Sequence, residues 1–368
     1  MQPGSATRVV LARVAFGCCE DDVRAAVRAA AESTTDFSWL SKGDSVFIKP
    51  ALNSGIPYPR TTSPIAVGAM VELLKEKGAG RVVVGDMSGI EHVKLSLDML
   101  DELRGSSRSL MEATGMSAAV QEANGETHFF EEAGWEAFHE ETPRSGFHWD
   151  KGIMMPDILK QVDHIILMPR CSRHALTGNS LGLKAVVGYW RTDSRVECHQ
   201  NARTMYEKIA EANTVETLME KQRLVLSAAD AVLATFGPDF GHPLWPDNGL
   251  IIASESVVAH DMISLAWLLE NRHQMSPFWK LYVDPCIWKW SVNLGNRYIV
   301  YRLNGIKAAL CSQNLPRNNA RTIWHDRILN HAYRVFGGRP VVAVVAADQT
   351  VPADLKNRLT EMTTHPGD

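Results

Sequence analysis

Between Ser45 and Asp86 the chain reads strand, loop, helix, strand, and that run constrains the fold more than any other feature. SVFIKP (Ser45–Pro50) is a short β-branched and aromatic segment closed by its proline. A loop rich in Gly, Pro, Ser and Thr covers 51–63. A helix then opens near Pro64, sets Val67, Met70, Val71 and Leu74 on one face, and stops at Gly78. RVVVGD (Arg81–Asp86) is a strand again. Two strands joined through a helix predict a parallel βαβ unit with a right-handed crossover.

The alternation continues outside this unit. RVVLARV (Arg8–Val14) is a strand, followed by an alanine-rich helix over Asp21–Ala31 with acidic residues in its first turn. HIILMPR (His164–Arg170) and LIIAS (Leu250–Ser254) are buried strands, and Leu224–Phe236 is an apolar run. Helices are expected over Met205–Lys221 and Val257–Leu269. The expected fold class is α/β, with a large domain (1–270) built on a mostly parallel sheet flanked by helices. A smaller C-terminal α/β domain (271–368) ends in the strand PVVAVVAA, Pro340–Ala347. Two domains suit 368 residues, since one domain usually takes ~100–200. The polar stretch 94–150, with a helix expected at Ser96–Arg104, reads as an excursion from the sheet, an insertion or a lid.

Composition excludes several classes. With 22% charged and 45% hydrophobic residues the chain is globular, not disordered. Its net charge of −4 and pI near 6.4 give no whole-chain basic field for nucleic acid. No apolar run reaches the ~18 residues of a spanning helix. The N-terminus reads as a first strand and not as a signal peptide. The six cysteines are scattered, without C-x-x-C or a ferredoxin-like run, which suits free thiols in a reducing cytoplasm. The expectation is a cytoplasmic protein with a small-molecule substrate, no nucleic-acid or membrane partner, and scope for homo-oligomers.

Three loops follow predicted strands, where parallel sheets gather their ligands. The first holds Lys49, Asn53, Arg60, Thr61 and Thr62; the second holds Asp86, Ser88 and His92. The third concentrates Arg170, Arg173, His174, Thr177, Lys184, Arg191, Arg195 and His199. Lys184 lies in LGLKAVVG, whose apolar neighbours should desolvate it and lower its pKa toward that of a base or nucleophile. His174 and His199 are natural proton-transfer partners. The arginines suit a carboxylate or phosphate held by forked hydrogen bonds. Each residue also has a plainer reading: a lysine in an apolar run often snorkels, and loop arginines often satisfy backbone carbonyls. TGNSLGLK lacks the Gly-Lys-Ser/Thr ending of a phosphate loop. In GPDFGHP, Gly237, Pro238 and Gly241 read as a turn, with His242 a further site candidate. Trp279, Trp288 and Trp290 could line an apolar pocket.

The same segments resemble the DUF362 domain family. The matching pieces are GDSVFIKPALN, RTTSPIAVGAMVELLKEKGAGRVVVGD, MPRCSRHALTGNSLGLKAVVG and ADAVLATFGPDFG…GLIIASESVVAHDMISLAWLL, in order across most of Val46–Leu269. Ala185 stands where family members usually carry asparagine after the lysine. The ferredoxin-type cysteine motifs and twin-arginine signal of many relatives are not found here. The arrangement SRHALTGNSLGLKAVVG…H also resembles the nickel-pincer lactate racemases, where a histidine, a lysine ten residues later and a further histidine serve cofactor and proton transfer. That resemblance implies such roles for His174, Lys184 and His199, and matches His92 to another family histidine.

The leading expectation is a DUF362-like enzyme acting on a small polar or anionic metabolite by Lys/His acid–base chemistry, of the isomerase, racemase or cyclase type. Lys184, His174 and His199 would be catalytic. Lys49, Asn53, Arg60, Arg170, Arg173, Thr177, Arg195 and His242 would bind substrate. No metal is expected from spacing; His92, His174 and His199 are the ligands if one binds, and a nickel-pincer-type cofactor comes only through the resemblance. The alternatives are a non-catalytic metabolite- or metallocofactor-binding accessory protein, and a biosynthetic enzyme with an apolar, tryptophan-lined pocket.

Overall fold

A computed structural model of the protein describes residues 6–97, 100–102, 105–235, 237, 239–276, 278, 289–318 and 321–365. Its main sheet has eight strands: β1 (Thr7–Ala15), β2 (Ser45–Pro50), β3 (Arg81–Asp86), β4 (Glu126–Phe129), β5 (His164–Met168), β6 (Gln222–Ala229), β7 (Asn248–Ser254) and β8 (Val342–Ala346). They lie in the order β8-β1-β7-β6-β5-β2-β3-β4. The run β6-β5-β2-β3-β4 is parallel throughout, as is β1 with β8; only β7 runs antiparallel to both neighbours. The fold is α/β with a mostly parallel sheet, as the alternating signals predict.

The main helices are α1 (Glu20–Thr34), α2 (Pro64–Glu76), α3 (Thr192–Gln200), α4 (Met205–Ala212), α5 (Val257–His273), α6 (Lys289–Cys311), α7 (Arg327–Val335) and α8 (Ala353–Thr363). Strand side chains alternate between faces. Val46, Ile48, Val82 and Val84 therefore pack with Val27, Met70 and Leu74 of α1 and α2. Phe47, Val83, Ile165 and Leu167 join Ile209, Met262, Leu329 and Leu355 from α4, α5, α7 and α8 on the other face. Covering both faces explains why these strands read as nearly continuous apolar runs. Lys49, 1% exposed, is the exception in β2.

Three sequence expectations change. No helix spans Ser96–Arg104: Leu100–Glu102 pairs antiparallel with Val93–Leu95 in a hairpin, while 98–99 and 103–104 lie outside the described residues. The buried–intermediate–buried alternation of Val93, Lys94 and Leu95 is that of a strand. The stretch 94–150 is not wholly an excursion, because it supplies β4 to the edge of the main sheet. The helix expected over Met205–Lys221 divides into α4 and a short helix at Glu216–Lys221, as the Asn213 side-chain amide and the Thr214 hydroxyl bond local carbonyls at the break. From the region past 270, β8 joins β1 while α7 and α8 pack on α5. Trp279, Trp288, Pro238 and Cys286 lie outside the described residues. Among the described residues no helix is long and apolar enough to cross a membrane.

Candidate active site

Because β2, β3, β5 and β6 run in one direction, their carboxyl ends open on one edge of the sheet. There the three loops meet around a cavity of about 280 Å³. Lys49, Asn53, Arg170, His174, Thr177, Lys184, Arg195 and His199 line it, with Asp86, Asp239 and an apolar wall that includes Leu52, Met87, Ile90, Val187 and Ile299.

Lys184 sits on a single helical turn, Gly182–Ala185. The turn is held from α5, where the Asp261 carboxylate accepts from the backbone N–H of Gly182 and of Leu183, both at 2.7 Å. A Cβ on Gly182 would lie 2.7 Å from Asp261 Oδ1, so this approach requires glycine. Burial lowers the Lys184 pKa to about 7, reinforced by Arg170, Arg195 and Lys49 and opposed by Asp86. A neutral amine is thus well populated near neutral pH.

The two histidines are held in opposite tautomers. His174 Nδ1 accepts from the backbone N–H of Leu176 (3.2 Å) and of Thr177 (3.3 Å), so its proton resides on Nε2. Asn296 of α6 donates through Nδ2 to the His199 carbonyl at 2.8 Å, which fixes its amide orientation. Its Oδ1 must then accept from His199 Nδ1–H at 2.8 Å, leaving Nε2 of His199 with a lone pair. Burial depresses both pKa values, helped by Lys184; that of His199 falls to about 4, although Asn296 opposes the change. Both rings should therefore stay neutral near pH 6, with His174 protonated on Nε2 and His199 on Nδ1. Side-chain nitrogen chemical shifts read this directly, and a shared tautomer would contradict it.

The cationic wall has internal partners as well as free donors. Lys49 Nζ is 2.9 Å from Asp86 Oδ1 and donates to the Pro50 carbonyl at 2.7 Å. Asp86 also accepts from Leu52 N–H (2.8 Å) and Met87 N–H (2.9 Å), tying the first two loops together. Lys49 is thus anchored within the protein, which restricts the ligand-binding role expected of it. Arg195 donates to the carbonyls of Ser88 (2.8 Å) and Met87 (2.9 Å). Burial draws the pKa of Arg170 and of Arg195 down to about 10, so both remain charged at neutral pH. Among the described residues, Arg195 Nε and Asn53 Nδ2 are buried donors without an acceptor. Such donors on a cavity wall fit a ligand that supplies oxygens.

Arg60, Arg173, His92 and His242 do not line the cavity. Arg60 clamps the later loop through the carbonyls of Asp239 (2.6 Å) and Gly241 (3.3 Å). The Thr177 hydroxyl donates to the Asn179 carbonyl. Trp290 is exposed on α6 and does not line the cavity either. Asp261 and Asn296, which orient Lys184 and His199, are not among the site residues that the sequence singles out, because their contacts are long-range.

No curated protein matches the chain. Among solved structures it is similar to a Thermotoga maritima protein solved as a structural-genomics target, with 14% identity and a TM-score of 0.43, covering 70% of this chain and 59% of that one. It is also similar to the lactate racemase apoprotein from Thermoanaerobacterium thermosaccharolyticum, with 13% identity and a TM-score of 0.40, covering 61% of this chain and 50% of that one. The chain thus spans only about half to three-fifths of those proteins' lengths. The model of a family described as a domain of unknown function, DUF362, matches residues 46–266, well over half of the sequence, and the chain belongs to that family.

Proposed function

We propose that this DUF362 protein is a proton-transfer enzyme acting on a small polar or anionic metabolite, of the isomerase, racemase or cyclase type. One observation carries the reading: Lys184, whose pKa of about 7 leaves a neutral amine, shares the cavity with two neutral histidines of opposite tautomer.

In this reading the Lys184 amine removes a proton from a carbon acidified by an adjacent carbonyl or carboxylate, and the ammonium so formed returns it. Nε2–H of His174 donates to the oxygen on which charge develops, while Arg170 and Arg195 hold the anionic group. Nε2 of His199 accepts a hydrogen bond from a substrate hydroxyl. Lys184 and His199 are also the groups with free nitrogen able to hold a cofactor, which would supply an electron sink or Lewis acid.

Removal and return of a carbon-bound proton leaves a solvent label. Incubating the protein with a panel of small carboxylates and carbonyl compounds in D2O should introduce deuterium into the compound that binds, detectable by mass spectrometry. Lys184→Ala should lose that exchange. A compound that stabilises the protein thermally yet never exchanges would favour the non-catalytic binding reading instead.

A further inference from the structure

A second group of chemistry-bearing side chains lies outside this cavity, where the loop 144–149 crosses α4 and α7. Glu211, at the end of α4, has a fully buried side chain. Its Oε1 is 2.5 Å from His148 Nδ1 and 2.9 Å from His331 Nε2. The two imidazoles cross edge to face, with ring centres 5.2 Å apart. The nitrogens and a carboxylate oxygen all lie within 4.8 Å of one another.

We propose that His148, Glu211 and His331 bind a zinc-class divalent ion that clips the loop, α4 and α7 together. Both imidazole nitrogens converge on one oxygen, Oε1, which also receives the Phe147 N–H at 3.3 Å. As hydrogen bonds alone, this would require three protons directed at a single buried oxygen. A cation bound at the same place needs none of them on the imidazoles and meets two lone pairs and a carboxylate. Zinc bonds of ~2.0–2.2 Å would separate tetrahedral ligand atoms by roughly 3.3 Å, so the carboxylate oxygen would move about 0.4 Å farther from His331 Nε2 and about 0.8 Å farther from His148 Nδ1 relative to the present 2.9 and 2.5 Å. Two imidazoles with one carboxylate select a borderline transition ion over calcium or magnesium, which prefer all-oxygen shells.

The surroundings are built to hold this geometry. The His148 N–H donates to Glu211 Oε2 at 3.1 Å, so the carboxylate is oriented by the same loop. A Cβ on Gly146 would fall 2.0 Å from Glu211 Cδ, so only glycine lets the loop pass here. Trp149 Nε1–H donates to the Lys208 carbonyl of α4 at 3.0 Å and anchors the loop beyond the site. The His148 side chain keeps 36% of its exposure against 12% for His331, which leaves one side open for a water ligand and for metal exchange.

The test uses the full chain, stripped with a chelator and then titrated with zinc chloride in competition with a chromophoric chelator. One zinc ion per chain is expected, with a rise in thermal midpoint on loading. His148→Ala, at a side chain that is 36% exposed, and His331→Gln should each weaken binding by about tenfold or more. Both should also abolish the thermal gain, while a His174→Ala/His199→Ala protein keeps both, assigning the ion to this site and not to the cavity. Failure of the unmodified protein to take up zinc at micromolar concentration would overturn the proposal. So would uptake that survives in both single variants.

Discussion

At pH 7 a trace of amine-reactive reagent should label Lys184 more than about tenfold faster than surface lysines, as read by peptide mass spectrometry. The reason is protonation: with a pKa of about 7 the amine is roughly half neutral. An ordinary lysine at ~10.4 is neutral in only roughly one molecule in a few thousand. A weaker base is also a weaker nucleophile, which removes part but not all of that advantage. Labelling and turnover should both rise as pH climbs through about 7 and then level off, because only the neutral form reacts. Lys184→Ala should lower turnover by about 10²–10⁴, the usual contribution of a general base. A Lys184 that labels in step with surface lysines would remove the base from the proposed mechanism.

The same depressed pKa must act on stability. Between pH 7 and 10.5 the unfolded chain holds a proton at this position that the folded chain has lost, so stability rises with pH across that window. Well below pH 7 both states are protonated and the folded protein carries the full cost of the buried charge. Lys184→Met should therefore stabilise the protein there by on the order of a few kcal/mol, with the gain vanishing near pH 11. Gain of stability with loss of activity is the pattern of a functional residue held in a costly place. Denaturant unfolding of both proteins at several pH values measures it, and a gain independent of pH would contradict the assignment.

How much of this was legible in sequence depended on distance along the chain. The strands were readable because β-branched runs bounded by Gly and Pro are local signals, and SVFIKP and RVVVGD match β2 and β3 residue for residue. Lys184 was readable because the apolar run LGLKAVVG in which it stands is a local signal. Its support was not: the carboxylate of Asp261 that caps its turn is 79 and 78 residues away from the amides it accepts. Asn296, 97 residues from His199, sets a tautomer through a contact with no sequence pattern. Arginine as a residue type suggested ligand binding at Arg60 as strongly as at Arg195, and only the fold separates a loop clamp from a cavity wall. His148 and His331 lie 63 and 120 residues from Glu211, so no local motif joins them.

Asp86→Ala should be among the most destabilising single changes available in the site, at about 3–5 kcal/mol, the usual cost of removing one partner of a buried ion pair. The side chains of Lys49 and Asp86 are 1% and 4% exposed, so water cannot replace the lost carboxylate without opening the site. The backbone N–H groups of Leu52 and Met87 lose their acceptor in the same step. Gly188 shows how little room remains for relaxation, since a Cβ there would lie 2.5 Å from both Asp86 Oδ1 and Lys49 Nζ. Burial already lowers the Lys49 pKa and Asp86 opposes that; without the carboxylate Lys49 will shed its proton more readily. The deficit should then grow as pH falls from the wild-type Lys49 pKa to the lower one of the variant, because only in that window does the variant alone gain stability by shedding the proton, and it should level off below. It should be smallest above the wild-type Lys49 pKa, where neither folded protein holds the proton. A Lys49→Met/Asp86→Leu protein removes both charges, so denaturant unfolding should find it more stable than Asp86→Ala, even with the two amides unpaired. A single-variant loss under about 1 kcal/mol would mean that the pair is solvated and that the cavity floor is not the dry, fixed platform on which Lys184's lowered pKa depends.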